Sequence, residues 1–287
     1  MKVVKALGIA AVGILLSANA MAQQVSTTAT SSTSARPIPE HDILFKKTVW
    51  RKIDLREKQN KPMFSENREI TKIIMDAVKS GELTAYANDS VSKPLTREEF
   101  VANMTKKDAT DDLSDEERAA GFGQEAEDDD AWGAALGDDA GKASTGPISN
   151  EFFAKELYLL ELKENIVFDK KRSRMYHDIQ TITLKVPATT NELGIENTVA
   201  SFKMSDLVRV FRANPETAIW YNAQNDAQHK NLADAFDLWL FSSYITKISN
   251  PGDRALSDIY GGGQKGLLAA QDAAEALIEY EYSLWSY

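Results

Sequence analysis

The sequence predicts an α+β fold built from short antiparallel strands and hairpins, with flanking helices and a long C-terminal helix. Three observations predict it. Val49, Ile53 and Leu55 alternate along Lys47–Arg56, the period of a half-buried strand. Two β-rich runs, Leu157–Phe168 and Met175–Val186, flank the polar stretch Asp169-Lys170-Lys171-Arg172-Ser173, the pattern of a hairpin with a basic tip. Near the end, Leu267, Ala270, Ala274, Leu277, Ile278, Glu281 and Leu284 recur at helical spacing behind Gly261-Gly262-Gly263. A helix competes for the first run of the hairpin, because Glu, Leu and Lys dominate it.

Taken from the N-terminus, residues 1–22 read as an export signal. Lys2 and Lys5 precede the apolar run Ala6–Leu16, which is too short to span a bilayer, and Ala20-Met21-Ala22 is a small-residue cleavage site. The expected mature chain starts at Gln23 and has 265 residues (287 minus 22). Residues 23–40 form a tether: eight of the nine residues Ser26–Ser34 are Ser or Thr, and Pro37 and Pro39 follow. Such a stretch cannot bury enough apolar surface to offset its ordering entropy. An N-terminal α/β unit is expected over 41–107. Its strand leads through a polar turn at Pro62 to a helix carrying Ile70, Ile73, Ile74, Ala77 and Val78, with Ser65 as N-cap and Gly81 beyond the last turn. Thr96 and Glu99 have the spacing of a capping box.

Residues 108–147 form an acidic linker or insert. Asp128-Asp129-Asp130 lacks the alternating ligands, central Gly and terminal Glu of a calcium loop. A C-terminal α+β unit is expected over 148–287. After the hairpin, Ser205 is placed to cap a helix through Leu207, Val208 and Phe211. Asn225-Asp226 precedes a helix through Leu232, Phe236 and Leu240, and Ser243–Ser249 reads as a last strand. The aromatic terminus ending in Trp285 and Tyr287 is expected to dock, since such a surface is unfavourable in water.

Charge and composition exclude several classes of function. Without Lys2 and Lys5 the chain has 31 basic and 43 acidic residues. The stretch Asp108–Asp139 alone holds 13 acidic residues against one basic, Arg118, so the remainder balances at 30 against 30. Nucleic acid and anionic lipid need a basic field that is absent here. With no cysteine there is no disulfide, no thiolate chemistry and no cysteine to acylate as a lipid anchor. The three histidines, His41, His177 and His229, lack metal-ligand spacing. Asp226 and His229 share a helix face without a nucleophile at any suggestive spacing. The run Gly261-Gly262-Gly263-Gln264-Lys265-Gly266 departs from a phosphate-binding loop, because Lys265 precedes the Gly and Leu267 stands where a hydroxyl is needed. No catalytic residue, metal or cofactor is expected.

The densest block is Lys47-Thr-Val-Trp-Arg-Lys-Ile-Asp-Leu-Arg-Glu57. Together with Asn60, Glu69-Ile-Thr-Lys-Ile-Ile, Gly81-Glu-Leu-Thr-Ala-Tyr, Phe168-Asp-Lys-x-Arg-Ser-x-Met175, Trp220-Tyr-Asn-x-Gln-Asn-Asp-Ala-Gln-His229, Leu232-Ala-Asp-Ala-Phe-Asp-Leu, Phe241-Ser-Ser-Tyr-Ile-x-Lys and Glu279-Tyr-Glu281, it resembles the gliding-motility GldN family, also called PorN. The resemblance runs from His41 to near the end, apart from Asp108–Asp139. It implies a non-enzymatic periplasmic component of the type IX secretion system of the Bacteroidota, held at the inner face of the outer membrane. The implied partners are an outer-membrane lipoprotein of the GldK or PorK type, with which members build a ring by self-association, and the periplasmic part of the GldM or PorM motor protein. For that role the expected faces are Trp50, Arg51, Asp54, Arg56 and Glu57, with Lys170, Lys171 and Arg172 as a second, and Trp220 and Trp285 as aromatic anchors. The rival is a periplasmic hydrolase or ligand-binding protein, which requires a concave pocket with converging polar groups.

Overall fold

Period-two burial along one long strand organises the molecule. In the computed structural model, which describes residues 38–106, 151–191 and 194–284, strand β1 covers Ile43–Asp54. Val49 and Ile53 are fully buried, while Thr48, Trp50 and Lys52 alternate to the other side. The strand starts earlier than the charged block suggests. It ends at Asp54, whose carboxylate accepts the Arg56 backbone N–H at 2.9 Å and turns the chain. A small hairpin follows, β2 (Phe64–Ser65) with β3 (Arg68–Glu69), turned at Asn67 with φ 63°.

Helix α1 (Ile70–Ser80) buries Ile70, Ile73, Ile74, Ala77 and Val78 and stops at Gly81, whose φ of 83° is the left-handed conformation glycine adopts freely. Ser65 is not its cap. The residue lies in β2, and Glu69 holds the N-cap position because the chain enters the helix straight from the hairpin. Helix α2 (Arg97–Met104) has the capping box its sequence predicts: Thr96 Oγ1 accepts the Glu99 N–H at 3.2 Å, and Glu99 accepts the Thr96 N–H at 2.8 Å.

The predicted hairpin is present as β4 (Leu159–Asp169) and β5 (Arg174–Val186), so the competing helical reading of its first run is set aside. Strand β6 (Asn197–Lys203) pairs with β5 and escaped the sequence reading, because its run holds few large apolar side chains. Helix α3 (Met204–Ala213) continues from it directly, with Lys203 rather than Ser205 at the N-cap. After β7 (Ile219–Trp220), Asn225 caps a single 3₁₀ turn, Asp226–Gln228. Asn231, at the end of β8 (Lys230–Asn231), caps α4 (Leu232–Asp237) by accepting the Ala233 N–H at 2.9 Å. Strand β9 (Tyr244–Ile248) lies where predicted, and α5 (Leu256–Tyr260) precedes the 21-residue α6 (Gln264–Leu284).

The main sheet is antiparallel in the order β6-β5-β4-β1-β9. Strand β1 therefore lies between two strands from beyond the acidic segment, and both stretches share one sheet. Its inner face carries two cores. In the larger, Ile53, Leu160, Leu162, Ile182, Leu184 and Phe202 pack with Ile74 of α1, Phe211 of α3 and Phe236 of α4. In the smaller, Val49, Ile166 and Ile245 meet Leu256 and Ala270, with Ala273, Ala274 and Leu277 packed alongside.

Helix α6 thus turns alanines inward. Leu267 and Ile278, expected on the buried stripe, are 57% and 54% exposed, because small side chains let the helix approach the sheet closely and leave larger ones outside. The glycine-rich run is a packing turn: a Cβ on Gly266 would meet the Gly261 carbonyl oxygen at 3.1 Å. Among the described residues no helix is long and apolar enough to cross a membrane. The expected export signal, most of the tether, the acidic segment and the Trp285–Tyr287 terminus lie outside the described residues.

Asn60 ties the end of β1 to the approach to β9. It is fully buried, donates to the Asp54 and Ser242 carbonyls at 2.7 and 3.0 Å, and accepts the Ser242 N–H at 2.7 Å. Asn60→Ala strands those groups away from water. It is expected to destabilise the protein by about 2–4 kcal/mol, read as a lowered urea midpoint with an unchanged denaturant slope.

Candidate partner-binding surface

The outer face of the sheet is charged and centred on Trp50. Its indole N–H donates to Asp89 Oδ2 at 2.7 Å, and Lys163 Nζ lies 3.2 Å from the same oxygen. Lys247 sits over the indole ring at 3.8 Å and Lys163 at 5.3 Å. The loop carrying Asp89 is pinned there despite Val91 at φ 56°, a conformation disfavoured for a β-branched residue. Burial raises the pKa of Asp89, but the Trp50 hydrogen bond and the charges of Lys163 and Lys247 outweigh it, leaving the carboxyl below its ordinary value. Further pairs surround this centre: Lys185 with Glu161 at 2.7 Å, Lys247 with Asp253 at 3.0 Å, and Lys52 with Glu196. A cleft of about 370 Å³ runs beside Trp50, lined among others by Asp89, Glu161, Lys185, Lys247 and Asp258.

Arg51 points the other way. Consecutive strand residues face opposite sides, so Trp50 and Arg51 do not share a surface. Arg51 Nε donates to Glu164 Oε1 at 2.6 Å, and the Glu164 side chain is fully buried. His177 Nδ1 is 3.1 Å from the second carboxylate oxygen. Trp239, at φ 58°, closes the cluster: its ring lies 4.8 Å from the His177 ring and 5.8 Å from the Arg51 guanidinium. This group sits on the inner face between the two cores. Glu164, His177, Trp239 and Asp89 were not nominated from sequence, and Glu164 was hidden in a run whose composition also suits a helix.

The other expected residues divide similarly. Asp54 and Arg56 pair at 2.9 Å, and Arg56 stacks over Tyr158 at 3.5 Å. Burial raises the Asp54 pKa, and the hydrogen bonds and charge of Arg56 lower it further than that. Glu57 is exposed, and its carbonyl accepts from the N–H groups of Asn60 and Lys61. At the hairpin tip, buried Asp169 accepts the N–H groups of Lys171 and Arg172 and the Arg172 guanidinium at 2.8, 3.1 and 2.6 Å. Burial opposes ionisation there as well, but these hydrogen bonds hold the Asp169 pKa below its usual value. Lys170 and Lys171 remain exposed, without an ion pair among the described residues. Trp220 packs on the larger core and donates to the Leu240 carbonyl at 3.2 Å, and Trp285 lies outside the described residues.

His229 accepts the Asn222 N–H at 3.1 Å and stacks on Tyr221, with Asp226 at 3.9 Å; these contacts hold a loop. A cleft of about 400 Å³ is lined by residues including Tyr176, His177, Asp178, Met204 and Phe236, and among the described residues its lining has no Ser, Thr, Cys or Lys. Among the described residues no group of three or more His, Cys, Asp or Glu could hold a metal ion.

Compared with known proteins, the chain matches the family model for the gliding motility associated protein GldN over residues 38–286. No curated protein matches it.

Two outcomes follow from this geometry. Arg51→Met leaves the Glu164 carboxylate buried without its cation and is expected to destabilise by about 3–5 kcal/mol in chemical denaturation, with much of that loss recovered by adding Glu164→Gln. Asp54, Asp89 and Asp169 all have depressed folded pKa values. Their contribution is therefore present above the unfolded carboxylate value of about 3.9 and is lost as pH falls through the lower folded values. Asp89→Asn is expected to cost about 1 kcal/mol at neutral pH and to flatten the acid limb of a stability–pH curve below about pH 4.

Proposed function

Because the chain belongs to the GldN family, we propose that it is a non-enzymatic structural component of the type IX secretion and gliding machinery. In this reading it is exported by a cleaved signal, works in the periplasm at the inner face of the outer membrane, and builds a ring with a GldK- or PorK-type lipoprotein. The ring in turn meets the periplasmic part of a GldM- or PorM-type motor protein. The observation that carries the reading is the match over residues 38–286, which includes every described strand and helix.

The physical character of the molecule supports it. The outer sheet face presents alternating cations and anions around Trp50, a pattern that selects register and partner in an extended contact. The basic hairpin tip offers a second, separate surface. Arg51 contributes from inside by fixing the strand. The hydrolase alternative would use the cleft beside His177, whose Nδ1 already faces Glu164 and whose lining, among the described residues, supplies no nucleophilic hydroxyl of Ser or Thr.

Co-expression with a GldK-type lipoprotein, affinity purification and negative-stain imaging test the proposal. Stable co-purification as large ring-like particles is the expected result. The pair Lys52→Glu and Lys247→Glu is expected to weaken that co-purification about tenfold while leaving the circular dichroism spectrum unchanged. A monomer that ignores the lipoprotein would sink the reading and return the pocket-bearing alternative to first place.

A further inference from the structure

Two surfaces combine exposed apolar side chains with charges that have no ionic partner among the described residues. The first is the outer side of α6. Its inner side packs alanines on the sheet, so Leu267, Ile278 and Tyr282 stand 57%, 54% and 73% exposed. Around them lie Asp272, Glu275 and Glu279, all exposed and without a cationic partner among the described residues. At helical spacing Leu267, Ile278, Tyr282 and Glu275 fall within one side of the helix. The second surface is the hairpin end of the sheet. Leu44, at the bulge that opens β1, is 58% exposed, and Lys46, Lys170, Lys171 and Arg174 are exposed beside it. The backbone links these residues: Lys46 pairs with Val167, Asp169 with Arg174, and the Lys170 N–H donates to the Asp42 carbonyl.

Strand alternation places Lys46 of this end relative to α6. Phe45 stacks on Tyr280 of α6 with ring centroids 4.5 Å apart, so Phe45 faces the helix. Lys46 then faces away from it. One surface is apolar and acidic, and the other combines an exposed leucine with cations that have no ion pair among the described residues. Two α6 helices face to face would set Asp272, Glu275 and Glu279 against their own copies, so an isologous pairing is disfavoured.

We infer that the outer side of α6 docks the hairpin end of a second copy of this chain, Ile278 and Leu267 meeting Leu44 while Glu275 and Glu279 meet Lys170 and Lys171. The contact is heterologous, so repeating it propagates a chain of subunits that closes or not according to the rotation between copies. The inference rests on the self-associating reading above and names the surfaces that reading left open.

The chain has no cysteine, so single introduced thiols report the contact without background. Ile278→Cys and Leu44→Cys are prepared as separate full-length chains, mixed, and treated with a short bismaleimide, alone and with the lipoprotein co-expressed. The expected result is a covalent dimer from the mixture and none from either variant alone. Glu275→Lys with Glu279→Lys, or Lys170→Glu with Lys171→Glu, is expected to reduce the mixed dimer about tenfold, and all four reversals together to restore it. A dimer formed by Ile278→Cys alone overturns the inference, as does no dimer in the mixture, or a yield indifferent to the reversals. If ring particles form with the lipoprotein while the mixture stays uncoupled, this contact is wrong and the proposed function stands. If the mixture couples while the lipoprotein is not retained, the reverse holds.

Discussion

A single buried carboxylate constrains the rest of the structure. Glu164 has no exposed side-chain surface and lies between two hydrophobic cores, so its charge must be met inside the protein. Arg51 meets it from the neighbouring strand and His177 from the strand on the other side. Slipping β1 by one residue would turn Arg51 to solvent, take that cation from Glu164 and drive Trp50 and Lys52 into the core. The pair therefore acts on register more than on net stability, the use best attested for buried ionic groups. Trp239 is held in a left-handed backbone conformation to complete the enclosure, a strain maintained by its stacking on His177 and Phe241.

With register fixed, the two faces acquire different chemistry. The inner face is divided at Glu164 into a large core under α1, α3 and α4 and a small one under α5 and α6. The small core relies on alanines, which allow close helix approach but contribute little apolar area each. Helix α6 is therefore held by a narrow contact along a length of about 30 Å, and Leu267, Leu268 and Ile278 remain outside. The outer face carries Trp50 and a set of ion pairs that close the Asp89 loop over it.

Much of this was legible in the sequence, and the failures have physical causes. Alternation of Val49, Ile53 and Leu55 revealed β1, and the same alternation implies that Arg51 points inward with Val49 and Ile53. Grouping Trp50 with Arg51 neglected that parity in favour of charge density. The hairpin and the Thr96–Glu99 box are local patterns, and both are present. Ser65 and Ser205 fail as caps because neither stands at a helix boundary: Ser65 lies in β2, and Ser205 lies within α3 because strand β6 runs straight into that helix at Lys203. Helical spacing in α6 found the inward side, which carries Ala270, Ala274 and Leu277. Only Leu267 and Ile278 at the edge of that stripe are exposed, because the contact centred on the alanines is narrow. The meeting of β1 with β4 and β9 spans more than a hundred residues and left no local signal.

Paired and unpaired charges on this protein are suited to different tasks. Around Trp50, Lys52, Lys163, Lys185 and Lys247 each already have an intramolecular carboxylate. A partner docking there must exchange one ion pair for another, which gives little net affinity but penalises a misaligned partner whose charges find no match. The α6 side and the hairpin end differ. Their apolar side chains are solvent-exposed in the single chain, and covering them releases water. Glu275 and Glu279 on the helix and Lys170 and Lys171 at the tip have no ionic partner among the described residues, so pairing them across an interface displaces no described ion pair. On the proposed reading, selectivity would reside on the charged sheet face and binding energy at the helix and the tip. The inner carboxylate supports both, because the register it fixes places Trp50 on one side of the sheet and the bed of α6 on the other.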